Sequence, residues 1–111
     1  MHITKENIHK FIYGKTMNCD NKDITHIEYI PDGITHLYCR NNKLTSLPKL
    51  PNGLISLYCN NNKLTSLPKL PILLRSLYCH NNNLPYEITL KNLKEHNTLL
   101  KRKQILSRIC S

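Results

Sequence analysis

A twenty-residue period dominates this chain and leaves it little freedom in how to fold. Residues 37–56 read LYCRNNKLTSLPKLPNGLIS and residues 57–76 read LYCNNNKLTSLPKLPILLRS, identical at sixteen of twenty positions. A last, partial copy opens at Leu77 as LYCHNNNL and departs from the pattern at Pro85. A degenerate earlier copy begins at Met17, with Cys19, Ile24, Ile27, Ile30, Pro31 and Gly33 each twenty residues ahead of a counterpart. A unit this short cannot bury an apolar face alone, so successive copies must stack.

Each copy contains L-x-x-L-x-C-x-x-N-x-L, as in Ile34, Leu37, Cys39, Asn42 and Leu44. The alternation around Leu37 and Cys39 is that of a strand with one buried face, which turns His36, Tyr38 and Arg40 outward. Asn42 then leaves the strand at a buried corner. Its amide both donates and accepts, so Asn42, Asn62 and Asn82 are expected to form a structural ladder that satisfies the turning backbone. Lys22 breaks that ladder in the first copy. The return path cannot be helical, because Pro48 and Pro51 lack N–H groups and disfavour helix in the residues before them. An extended, polyproline-like return is the alternative. Asp32-Gly33 and Asn52-Gly53 supply turns into the next strand.

These features predict an α/β repeat: a right-handed solenoid of about three and a half coils with a short parallel sheet on its concave face and an extended convex side. The repeats would span residues 17–88, divided as 17–36, 37–56, 57–76 and 77–88. A stack exposes apolar edges, so helical caps are expected at residues 1–16 and 89–111. At the first, Thr4 caps a helix with Ile3 and Ile8 as a hydrophobic staple. Ile8, Phe11 and Ile12 make its apolar stripe, and Gly14 stops it. At the second, Thr89 caps, with Ile88 and Leu93 as the staple. Leu90, Leu93, Leu99, Leu100, Leu106 and Ile109 have roughly helical spacing, interrupted by His96-Asn97-Thr98, so one helix and two short ones both fit.

Cys19, Cys39, Cys59 and Cys79 recur at the repeat period. Residues at equal repeat positions stack in a line ~4.8 Å apart, whereas zinc needs ligands converging from four directions. That spacing also leaves the usual disulfide window, so a ladder of small buried thiols is expected. Cys110 is then the candidate reactive thiol. No metal or cofactor is expected. Catalysis has little support either: the six histidines share no repeat position, and three glycines offer no phosphate loop. Cys19-Asp20 resembles a nucleophile beside an acid, but it stands in the buried column.

The outward strand face carries the candidate binding residues. Tyr38, Tyr58 and Tyr78 fall in one column, beside His36, beside Arg40, Asn60 and His80, and beside Asn41, Asn61 and Asn81. Tyrosine offers large contact area with a polar tip at low entropic cost, which suits recognition of a protein partner. The competing reading is that the rings simply stack on one another. Sixteen Lys and Arg against seven Asp and Glu give a net charge of +9, which keeps nucleic acid as an alternative partner. The tail concentrates that charge in Lys91, Lys94, Lys101, Arg102, Lys103 and Arg108. A self-assembling structural block is a third reading, with a monomer or weak oligomer expected. No apolar run is long enough to span a membrane. The N-terminus lacks a signal-like apolar stretch, and five cysteines fit a reducing, intracellular setting.

The L-x-x-L-P-x-L-P return (Leu44, Leu47, Pro48, Leu50 and Pro51; Leu64, Leu67, Pro68, Leu70 and Pro71) resembles the short leucine-rich-repeat class of secreted bacterial effectors. The cysteine in L-x-C-x-x-N, with the richness in Asn, Ile and Lys, is most similar to repeat proteins of the giant DNA viruses of amoebae. The resemblance covers residues 17–84. It implies a curved stack that binds partners, here a host protein, on its concave face, without the separate ligase domain of the enzymatic bacterial relatives.

Overall fold

The computed structural model describes residues 1–110, with side chains through Leu106. Arg108, Ile109 and Cys110, expected as a tail cation, a cap residue and a reactive thiol, have side chains outside the described residues.

The repeat period is the register of a sheet. Strands β3 (Thr16–Asn18), β5 (His36–Tyr38), β6 (Ser56–Tyr58) and β7 (Ser76–Tyr78) run parallel in the order β3-β5-β6-β7. Met17 pairs with Leu37, Leu37 with Leu57, and Leu57 with Leu77. Beyond the strands the ladder continues: the Cys19, Cys39 and Cys59 N–H groups donate to Tyr38, Tyr58 and Tyr78 C=O at 2.8 Å. Leu37, Leu44, Leu54, Leu57, Leu64 and Leu70 are fully buried, each worth roughly 1.5–3 kcal/mol relative to exposure. The rest of each repeat, residues 39–55 and 59–75, contains no helix.

The asparagine corner works between repeats. Asn62 Oδ1 accepts from Leu44 N–H at 3.1 Å, and its Nδ2 donates to Cys39, Cys59 and Asn60 C=O. Asn42 and Asn82 repeat this pattern with the preceding copy. Lys22 is exposed at the equivalent position, where no earlier repeat needs tying. The residue before each corner carries a second demand: Asn21, Asn41, Asn61 and Asn81 have φ between 55° and 59°. Asparagine is the side chain that tolerates this left-handed geometry best after glycine.

The turns into the strands are as expected in place but different in kind. Ile34, Leu54 and Leu74 N–H groups donate to Pro31, Pro51 and Pro71 C=O at 3.1–3.2 Å. Gly33 and Gly53 do not use positive φ, and a Cβ at either would meet nothing within 4 Å. The third copy can therefore close the same turn with Ile72 and Leu73.

The N-terminal segment is not the expected α-helix. It forms strand β1 (His2–Ile3), one four-residue 3-10 turn (Ile8–Phe11) and strand β2 (Ile12–Tyr13). Two competing bonds explain this. Asn7 reaches back, its Nδ2 donating to His2 C=O and its Oδ1 accepting from Thr4 N–H. Ile12 and Tyr13 pair antiparallel with Met17 and Thr16, covering the outer edge of β3. Gly14, at φ 63°, turns this hairpin instead of stopping a helix. Ile3 and Ile8 are buried nonetheless. Strand β1 pairs parallel with β4 (His26–Ile27) on the return path.

At the other end there is a single helix, α1 (Leu93–Cys110). Thr89 and Asn92 form the reciprocal cap: Thr89 N–H donates to Asn92 Oδ1 at 2.8 Å, and Asn92 N–H donates to Thr89 Oγ1. The face that docks is not the leucine stripe. Leu93 is buried, but Leu90, Leu99 and Leu106 are exposed. Beside Leu93, which joins the core, the docking contacts come from the polar interruption. His96, 2% exposed, meets Tyr86 Oη at 2.7 Å and Pro68 C=O at 3.1 Å. Asn97 meets the backbone of Leu70. The return path ends on backbone polar groups that need partners, so polar side chains fit there better than leucine.

Candidate interaction surface

The outward face of the sheet is built by the strands alone. Tyr38, Tyr58 and Tyr78 occupy equal positions on β5, β6 and β7, with ring centroids 4.9 and 4.6 Å apart. Stacking half-buries Tyr38 and Tyr58, while Tyr78 is 51% exposed at the end of the column. His36 lies edge-on to Tyr38 and contacts Thr35 Oγ1 at 2.8 Å; His80 lies edge-on to Tyr78.

Arg40 is held in place by a partner that pattern reading did not assign. Asp20, one repeat earlier, accepts from Arg40 Nε at 3.1 Å, from Nη2 at 2.7 Å and from the Arg40 backbone N–H at 2.6 Å. The guanidinium also leans over Tyr58 at 5.3 Å and Tyr38 at 5.8 Å. The cation in this column is thus neutralised by its neighbour. The equal repeat position of Asp20 and Arg40 was the signal that could have shown it.

Asn60 departs from the expected outward placement. It is only 8% exposed, and its Oδ1 has no hydrogen-bond partner. Its side chain is shorter than that of Arg40, which reaches across the column toward Tyr58, and it is shut away from solvent. Asn41, Asn61 and Asn81 are exposed, but they bond one another: Asn61 Nδ2 donates to Asn41 Oδ1, and Asn81 Nδ2 to Asn61 Oδ1, both at 2.7 Å. The face presented to a partner is therefore a ring stack beside an amide ladder, with Tyr78, His80, Asn41, Asn61 and Asn81 exposed.

Behind this face run Cys19, Cys39, Cys59 and Cys79, all buried as unpaired thiols. Burial pushes the Cys19 thiol up to about 12, with Asp20 adding to the shift. Cys39 is raised well above the ordinary thiol value by burial and by Cys59 and Cys19, and Cys59 is raised by burial and by Cys79. Cys79 is raised by burial and by Glu87. Thiols in this state are poor nucleophiles and poor metal ligands. Among the described residues, no three His, Cys, Asp or Glu side chains converge as a metal site would require. No described helix is long and apolar enough to cross a membrane.

No curated protein matches the chain. Residues 33–72, covering the second and most of the third copy, match the family model described as Leucine Rich repeats (2 copies), and this part of the chain is accordingly built of leucine-rich repeats.

Proposed function

We propose that the chain is a non-catalytic recognition module: a right-handed leucine-rich-repeat solenoid of about three and a half coils, closed at both ends, that binds a protein partner on the concave, sheet side. Leucine-rich repeats generally mediate protein–protein interaction. The observation that carries the reading is the tyrosine column, a rigid aromatic strip ending in the half-exposed Tyr78. Its rings are held by stacking before any partner arrives, so little side-chain entropy is lost on binding. The likeness to giant-virus repeat proteins makes a host-cell protein the partner to seek, in a reducing compartment. Affinity capture from amoebal lysate, with and without nuclease, tests the reading. Nuclease-resistant capture lost in Tyr78→Ala supports it; capture indifferent to Tyr78→Ala overturns it.

Nucleic-acid binding has one specific observation in its favour. Lys101, Arg102 and Lys103 are consecutive and exposed on α1, and none pairs with a carboxylate among the described residues. Changing the three to Gln would then flatten the salt dependence of binding by up to about one unit of log–log slope per lost phosphate contact. Self-assembly is tested by light scattering against concentration.

A further inference from the structure

Two nearly identical repeats differ at four positions, and three of these cluster at one turn. Asn52, Gly53 and Ile55 become Ile72, Leu73 and Arg75, and the fourth change is Arg40 to Asn60. The turn itself is unaltered, since Leu54 and Leu74 N–H groups reach Pro51 and Pro71 C=O at the same 3.2 Å. What changes is the surface. Ile72 and Leu73 are 71% and 69% exposed, the most exposed aliphatic side chains among the described residues. Neighbouring apolar side chains held in water are a common mark of a binding surface.

They form the lip of a groove of about 1300 Å³ between the return paths and α1. Its floor is made of buried leucines, including Leu50 and Leu70, and Leu100 of α1 stands on its far wall. Lys49, Lys69 and Lys101 line it, no Asp or Glu does, and none of the three lysines is ion-paired among the described residues. We propose that this groove, on the side away from the tyrosine column, docks an acidic amphipathic segment of a partner protein. Apolar residues of the segment would cover Ile72, Leu73 and Leu100, while its carboxylates meet the three lysines. The absence of aromatic rings in the lining gives bases nothing to stack on.

The test uses the full chain and a labelled synthetic helix with leucines on one face and glutamates on the other, read by fluorescence anisotropy. The controls are the same helix with lysines in place of glutamates, and vesicles of phosphatidylcholine and phosphatidylserine. The deciding variant is Ile72→Asn with Leu73→Gly, which restores residues the preceding repeat already folds with. We expect the glutamate helix to bind and the lysine helix not to bind. The double variant should lose ~10-fold or more in affinity with unchanged melting, and Lys49→Glu with Lys69→Glu should lose a similar amount. Tyr78→Ala should leave this binding unaltered, which separates it from the sheet-face reading. Equal binding by the double variant, no binding of the glutamate helix, or vesicle binding that alone depends on Ile72 and Leu73 would each overturn the proposal.

Discussion

Asn97 meets Leu70 with both ends of its amide: Leu70 N–H donates to Asn97 Oδ1, and Asn97 Nδ2 donates to Leu70 C=O, each at 2.8 Å. One side chain thereby gives the last return path what a neighbouring backbone would otherwise supply. Asn97→Ala leaves both groups of Leu70 without partners at a partly buried site. We expect a loss of about 2 kcal/mol in urea unfolding, and Asn97→Leu should be no better despite its apolar surface. A stability change within ~0.5 kcal/mol would show that the helix is held by Leu93 and His96 alone.

The asparagine corner predicts a position-dependent effect. Asn62→Ala removes one acceptor and three donor contacts, two of which, to Leu44 and Cys39, join neighbouring repeats, and should cost ~3 kcal/mol or more. Lys22→Asn completes the sequence ladder but finds no preceding repeat to bind. Its effect on the unfolding midpoint should be negligible.

Asn61 separates backbone geometry from surface chemistry. Asn61→Gly keeps φ near 59° accessible but breaks the exposed amide ladder, so stability should change by less than ~0.5 kcal/mol. Asn61→Val forces a β-branched residue into that region and should cost about 1–2 kcal/mol. If partner capture survives Asn61→Gly, the amide ladder is scaffolding for the tyrosine column.

The thiol ladder sets an alkaline limit. An ordinary cysteine titrates near 9, whereas burial raises Cys19 to about 12 and the other three upward as well. The unfolded chain therefore releases these protons first. The stabilisation is fully present below pH 9 and is lost as pH rises from there through the folded values. Each thiol contributes up to about 1.4 kcal/mol per pH unit in that window. Urea titrations from pH 8 to 11 (a window bracketing the ordinary thiol) should show a shallower decline in Cys59→Ala than in the parent. Parallel declines would mean that Cys59 ionises as easily folded as unfolded.

The repeat interior was legible in the sequence because one rule, stacking at equal positions, places Leu37, Cys39, Asn42 and their counterparts together. The ends were not, because each is decided by a single contest between local bonds. Asn7 makes a turn where Ile8, Phe11 and Ile12 suggested a helical stripe, and the hairpin to Met17 claims Ile12. On α1, His96 and Asn97 interrupt the leucine pattern because the surface they meet is backbone, which apolar periodicity cannot register. On the sheet face, the column of tyrosines was readable, but the neutralisation of Arg40 by Asp20 needed the two to be compared across copies.

Both ends use one grammar. His2-Ile3-Thr4 with Asn7-Ile8 and Glu87-Ile88-Thr89 with Asn92-Leu93 share the pattern I-T-x-x-N followed by an aliphatic residue. In each, asparagine donates five residues back and accepts three residues back, onto His2 and Thr4 in one case and Glu87 and Thr89 in the other. On the return paths, each end fastens to the adjoining repeat, Met1 and Ile3 to Thr25 and Glu28, and His96 and Asn97 to Pro68 and Leu70. Nothing in either fastening counts how many units lie between. A gene of this design can gain or lose sixty bases at a time (three per residue of the twenty-residue period) and leave both fastenings intact, so copy number is free to drift or be selected.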